Sequence, residues 1–156
     1  MKICDILAGT PFSLSFEVFP PKRDGNIDNL YKTIEELLTM HPDFISVTYG
    51  AGGGTRDTTV AIASKIKNEL GAETLAHLTC VQATARDIED ILKELHHNNI
   101  ENILALRGDP PGHTSTFVKT EGGFGYANEL VEFIRSKDDF CIGVAGYPEV
   151  HIEASS

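Results

Sequence analysis

Short runs of β-branched and aromatic residues recur about every 30 residues along this chain, each followed by a longer amphipathic segment. A unit of that length is a strand, a crossover helix and the return to a parallel neighbour. The pattern predicts strands near Leu14 to Phe19, Phe44 to Thr48, Thr74 to Thr79, Asn102 to Leu106 and Cys141 to Ala145. Helices are predicted over Asp28 to Met40, Asp57 to Leu70, Thr84 to His97 and Tyr126 to Ser136. Side-chain oxygens at Asn26 or Asp28, at Thr55 or Asp57, and at Thr84 can cap the first turns. His41-Pro42, Gly71 and Asn98-Asn99 stop the helices before them. The last interval is lengthened by Gly108 to Gly125, rich in Gly, Pro, Thr and Ser, which is longer than an ordinary connection.

Successive βα units build either a doubly wound open sheet or a (β/α) barrel. The strand faces decide between them. Leu14, Phe16 and Val18 share one face of the first strand, and Ser15, Glu17 and Phe19 the other. On the corresponding mixed face we expect Ser46 with Thr48, Leu75 with His77 and Thr79, Ala105 with Arg107, and Gly143 with Ala145 and Tyr147. That face becomes polar at the C-terminal end of every strand. Strands covered on both sides read instead as continuous apolar runs, whereas polar groups converging at strand ends describe a barrel mouth. The expected fold class is therefore α/β, of the (β/α)8 TIM-barrel type. A complete barrel needs eight strands, and these 156 residues hold about the first five units.

Composition removes several function classes. With 13 Lys plus Arg against 23 Asp plus Glu, the net charge of −10 opposes a phosphate backbone, so no nucleic-acid partner is expected. No apolar run approaches the ~20 residues of a membrane span, and Asp5 interrupts the start where a secretory leader needs an apolar core. Cys4, Cys80 and Cys141 are far apart and lack zinc-ligand spacing, which suits reduced thiols in a cytoplasmic protein. His96-His97 ends a helix with no ligand partner at a convincing spacing, so no metal is assigned.

Five segments at the strand ends could carry chemistry. Glu17, within Phe16-Glu17-Val18-Phe19-Pro20-Pro21, is a carboxyl among apolar neighbours. Desolvation there would keep it a proton donor, and a structural ion pair with Lys or Arg is the alternative. Thr48 to Thr55 is a glycine-rich strand-to-helix turn whose amides could approach a ligand, although it lacks a phosphate-loop ending. His77 is either a satisfied core histidine or, sharing a face with Thr79, a ligand contact. Arg107-Gly108-Asp109 closes the fourth strand with a cation, a flexible joint and an acid, which could bind a ligand or pair with each other. Tyr147-Pro148-Glu149-Val150-His151 repeats the theme after the fifth strand.

Taken together, these segments resemble the methylenetetrahydrofolate reductase family. The resemblance rests on Phe16 to Pro21, Ser46 to Ala51, His77 to Cys80, Ala105 to Asp109, Gly122-Gly123-Phe124 with Tyr126-Ala127, and Ala145 to Glu149 with His151, in family order over nearly the whole chain. It implies a single FAD-binding (β/α)8 barrel catalytic domain, of which residues 1–156 are the N-terminal part, with no regulatory domain. The implied reaction uses NADH or NADPH to reduce FAD, and the reduced flavin to convert 5,10-methylenetetrahydrofolate into 5-methyltetrahydrofolate.

By position in those motifs, Glu17 resembles the general acid that opens the folate ring. Asp109 resembles the acid lying between folate and flavin. Thr48 resembles a contact on the nicotinamide side. Tyr49, His77, Arg107, Gly108, Asp109, Ala127, Tyr147 and His151 resemble flavin contacts, Arg107 suiting a phosphate or polar ring edge. The chain departs from the family pattern at Val150, where Gly is common, and at Ile152, where Pro is common. The long Gly108 to Gly125 insertion resembles one subgroup. Two other readings stand beside this one: a half-barrel without catalysis that only assembles, and a phosphate-sugar aldolase, disfavoured because no strand-end Lys is available. Open sheet edges lead us to expect a homo-oligomer.

Overall fold

The computed structural model describes residues 1–21, 25–49, 56–110 and 117–151. Five strands, β1 (Ser15–Val18), β2 (Phe44–Val47), β3 (Thr74–Thr79), β4 (Asn102–Leu106) and β5 (Cys141–Val144), alternate with helices α2 (Ile27–Leu38), α3 (Arg56–Asn68), α4 (Ala85–His97) and α5 (Ala127–Lys137). A short helix, α1 (Ile3–Gly9), precedes them. All neighbouring strands pair in parallel, in the spatial order β1-β2-β3-β4-β5. A doubly wound sheet needs a point where strand order reverses, and there is none in this sheet. Right-handed crossovers in a strictly sequential order place every crossover helix on the same face. This is the arrangement of the first βα units of a TIM barrel, with the barrel not closed.

The helix-covered face holds the core. Val18, Ile45, Val47, Ala76, Leu78, Ile103 and Ala105 point into it from the strands, against Ile34, Ile62, Ile66, Ile88, Leu95, Leu130 and Ile134 from the helices. At the strand-start end Asn102 is fully buried yet satisfied: its Oδ1 accepts from the Ile3 amide at 2.7 Å, and its Nδ2 donates to the Thr74 carbonyl at 3.2 Å. That amide ties α1, β3 and β4 together.

Most element ends follow the local chemistry expected of them. Asn26 caps α2 through its side chain, and Thr84 with Asp87 forms a reciprocal capping box on α4. His41, Gly71 and Asn99 take positive φ where their helices terminate. Thr55 and most of the glycine-rich turn lie outside the described residues, as does any cap there.

Two expectations need correction. Helix α1 has no place in the predicted element list, since about two turns with a single buried residue, Ile3, carry too little periodicity to be seen. The face of β4 is also offset by one residue. Because His77 pairs with Leu104 and Thr79 with Leu106, the open face of β4 carries Leu104 and Leu106, while Ala105 is buried beneath the helices. The ladder ends at Leu106, so Arg107 leaves the sheet and does not share a strand face with Ala105. A slip of one residue exchanges the two faces, and the charge of Arg107 is a misleading marker of the polar one.

Candidate functional site

The open face gathers its polar side chains across β1, β2 and β3. Glu17 pairs in register with Ser46, and His77 stands two residues beyond Leu75, the Ser46 partner on β3. The Ser46 Oγ lies 2.7 Å from His77 Nε2 and 3.5 Å from Glu17 Oε2, which is itself 3.4 Å from the same imidazole nitrogen. Ser46 and His77 are buried, whereas the Glu17 side chain is 48% exposed. Burial holds His77 below the ordinary histidine pKa, with the Glu17 charge pulling the other way.

Glu17 therefore is not enclosed as its neighbours in sequence suggest. Phe16 and Val18 face the helices, and Phe19, which shares its face, is 66% exposed. Alternation along the strand sends the flanking apolar groups away from the carboxyl. Its partners among the described residues are Ser46 and His77, neither Lys nor Arg.

Beyond the strand ends, Thr48 donates its amide to the Val18 carbonyl and accepts from the Thr59 hydroxyl, which fixes the exit of β2. Tyr49 is half-buried against the core. Gly108 sits at φ +83° in a place where a Cβ would come within 2.9 Å of Val81 and 3.0 Å of Thr79, so only glycine turns the chain there. The Arg107 guanidinium lies 4.9 Å from the centre of the Phe117 ring, and Asp109 is exposed just past the turn.

Ala127 opens α5, close behind Cys80, whose thiol is hydrogen-bonded to the carbonyls of Leu106 and Tyr126. Burial pushes the Cys80 thiol up to about 11. Tyr147 is exposed and meets the His151 ring edge-on, centroids 4.8 Å apart. The structure thus brings Glu17 and His77 into contact, and sets Arg107, Gly108 and Asp109 at the end of the next strand over. Tyr147 and His151 form a separate pair beyond β5.

Sequence reasoning does not single out two residues of this face. Ser46 is the hydroxyl between the acid and the histidine. Thr79 Oγ1 is buried without a hydrogen-bond partner among the described residues. A signal for Ser46 exists: Glu17, Ser46 and His77 occupy corresponding places in successive units about 30 residues apart. No group of three or more His, Cys, Asp or Glu suited to a metal ion occurs among the described residues, and no described helix is long and apolar enough to cross a membrane.

Comparison with known proteins bears on what this face belongs to. A model of the family described as methylenetetrahydrofolate reductase matches residues 2–156. Methylenetetrahydrofolate reductase (NADH) 1 of Arabidopsis thaliana is 47% identical over 141 residues, covering 89% of this chain and 24% of the relative. The 5,10-methylenetetrahydrofolate reductase of Escherichia coli is 42% identical over 145 residues, 92% of this chain and 47% of its own length. The chain thus spans between about a quarter and a half of these relatives. With residues 2–156 inside the family match, and relatives 42% and 47% identical over about nine-tenths of its length, the chain belongs to the methylenetetrahydrofolate reductase family.

Proposed function

We propose that the protein carrying this chain reduces 5,10-methylenetetrahydrofolate to 5-methyltetrahydrofolate, using NAD(P)H and bound FAD. The observation that carries the reading is the contact of Glu17 with Ser46 and His77 at the polar end of the open face, within a chain of this family. Relatives named as NADH enzymes support NADH as the reductant.

The residues present fit a flavin. The orphaned Thr79 hydroxyl and the close-packed Gly108 turn leave backbone and polar atoms for a flat ligand rich in hydrogen-bonding groups. Tyr49, His77, Arg107, Gly108, Asp109, Ala127, Tyr147 and His151 would hold it, with Thr48 toward the nicotinamide. When bound, the flavin would accept a hydride from NAD(P)H and pass it to the folate.

The chain's own part is proton and charge management. Glu17 would protonate the departing amine nitrogen of the folate's five-membered ring, a poor leaving group until it gains that proton. A neutral His77 beneath it adds no competing positive charge next to the cationic iminium so formed. Asp109 would favour that cation electrostatically.

The test separates the two half-reactions in the full-length protein. Glu17→Gln keeps the shape but cannot act as an acid. Flavin bleaching by NAD(P)H should survive, while methylenetetrahydrofolate reduction falls by about 10²-fold to 10⁴-fold. A full-length protein that purifies without flavin, or a Glu17→Gln variant that loses flavin reduction but keeps the folate step, would overturn the proposal.

A further inference from the structure

We propose that Ser46 is a positioning residue that couples the protonation state of Glu17 to the tautomer of His77 through its one hydroxyl proton. The catalytic meaning of this coupling rests on the reading of Glu17 as the folate acid. The coupling itself stands on the geometry of three side chains from three adjacent strands.

Counting protons fixes the coupling. A serine hydroxyl donates one hydrogen bond, and a neutral imidazole carries a single N–H on one of its two nitrogens. His77 is buried, and its environment favours that neutral form. Ser46 Oγ lies 2.7 Å from Nε2, a full hydrogen bond, so one of those two atoms donates to the other. The 3.5 Å to Glu17 is at the outer limit of a hydrogen bond, on a strand-borne side chain whose carboxyl reaches solvent.

With the carboxyl proton on Oε2, the oxygen that faces Ser46, two arrangements leave every contact with one donor. With Glu17 ionised, the Ser46 hydroxyl turns to the carboxylate, and its oxygen must accept from His77 Nε2–H, leaving Nδ1 bare. With Glu17 protonated, the carboxyl donates to Ser46 Oγ, the hydroxyl turns to Nε2, and the imidazole proton resides on Nδ1. Between the two states Glu17 loses one proton, while Ser46 and His77 each keep one. The imidazole proton changes nitrogen by exchange with solvent, with no change in charge. The acid and its conjugate base are therefore each met by a complete chain, and the carboxyl keeps one orientation before and after it gives up its proton.

Among the described residues no other polar side chain of the strands stands in register with these three. On β4 the residues facing His77 and Thr79 are Leu104 and Leu106. The remaining titratable groups described at this end are Tyr49 after β2, Cys80 after β3, Arg107 and Asp109 after β4, and Tyr147, Glu149 and His151 after β5. Of the charged side chains, Glu17 is the one that acts on the His77 equilibrium.

Nitrogen-15 NMR of the full-length protein labelled at histidine reads the tautomer directly, since a protonated and a bare ring nitrogen differ widely in shift. In the unaltered protein, over the pH range in which His77 is neutral, its proton should move from Nδ1 to Nε2 with the same midpoint as the Glu17 carboxyl, followed by carbon-13 on glutamate. In Glu17→Gln one tautomer should persist across that range. Ser46→Ala should uncouple the two midpoints, and Ser46→Thr, which retains a hydroxyl, should restore their coincidence.

A His77 tautomer that stays fixed while Glu17 titrates, or one that still tracks Glu17 in Ser46→Ala, would overturn the proposal. These shifts are read without turnover. Failure of the Glu17 acid role, seen as normal folate reduction in Glu17→Gln, is thus distinguishable from failure of the coupling.

Discussion

Gly123 lies so close to Ala83 that a Cβ on the glycine would stand 2.2 Å from the Ala83 carbonyl oxygen. Around this contact Thr84 and Gly123 form an isolated antiparallel bridge, and the Ala85 amide donates to the Gly122 carbonyl at 2.8 Å. The end of the long loop is thereby pinned to the start of α4. Gly123→Ala is expected to destabilise the protein by about 1–3 kcal/mol, because backbone and not a flexible side chain must give way. Gly122→Ala, with open space around it but φ +71°, should cost only about 1 kcal/mol. Denaturant melts of the two variants should rank them in that order.

Asp109 and Glu17 are expected to differ in which half-reaction they affect. With its charge directed toward both flavin and folate, as proposed above, Asp109 bears on each step. Asp109→Asn should therefore slow both halves, by about tenfold each. Rapid-mixing absorbance, following flavin reduction and then its reoxidation by the folate, separates the two. A variant impaired in one half alone would contradict the electrostatic role.

Val150 adopts φ +70°, closing a turn in which its amide donates to the Tyr147 carbonyl at 3.1 Å. For a β-branched residue this left-handed conformation costs roughly 1–2 kcal/mol. Val150→Gly should remove that strain at an entropic cost of about 0.4–1 kcal/mol, for a net stabilisation of about 0.5–1 kcal/mol. A thermal melt shifted upward by a few degrees is the expected result, and a lowered one would show the turn to be unstrained.

Two buried groups set opposite limits on stability with pH. His77 has its folded pKa lowered, so its contribution is complete above the unfolded value of 6.5 and is lost as pH falls through the folded one. Cys80 is raised from 9.0 to about 11, so its contribution is complete below 9.0 and about 2–3 kcal/mol is lost as pH rises to about 11. Denaturant midpoints measured against pH should show both limbs. His77→Gln should flatten the acidic limb and Cys80→Ala the alkaline one.

The amino-acid sequence encodes the fold through its spacing more than through any single motif. The regular interval between strands is enough to predict five parallel strands, and alternation in β1 and β2 correctly separates Glu17 and Ser46 from Val18 and Val47. β4 reads one residue out of phase because Asn-Ile-Leu-Ala-Leu is apolar nearly throughout, so alternation has no contrast to follow. Only pairing with His77 and Thr79 defines its faces. The exposure of Glu17 is hidden for a related reason, since neighbours along a strand are not neighbours in space. Ser46 is placed on the correct face but given no role, because a serine announces no chemistry until something charged is found beside it.

The buried amide of Asn102 lies at the end of the sheet opposite Glu17 and His77, and it has consequences for how this protein tolerates change. Four otherwise separate groups, the Met1 carbonyl, the Ile3 amide, the Glu73 carboxylate and the Thr74 carbonyl, converge on one uncharged residue far from any reacting group. Replacing it with Leu would strand the Ile3 amide and the Thr74 carbonyl away from water and weaken the whole scaffold. If the opposite rim carries the reaction proposed above, replacing residues there should alter that reaction while leaving the anchor intact. Mutational tolerance should therefore be polarised along the strand axis, so that new substrate preferences can be explored at one pole while the other preserves the architecture.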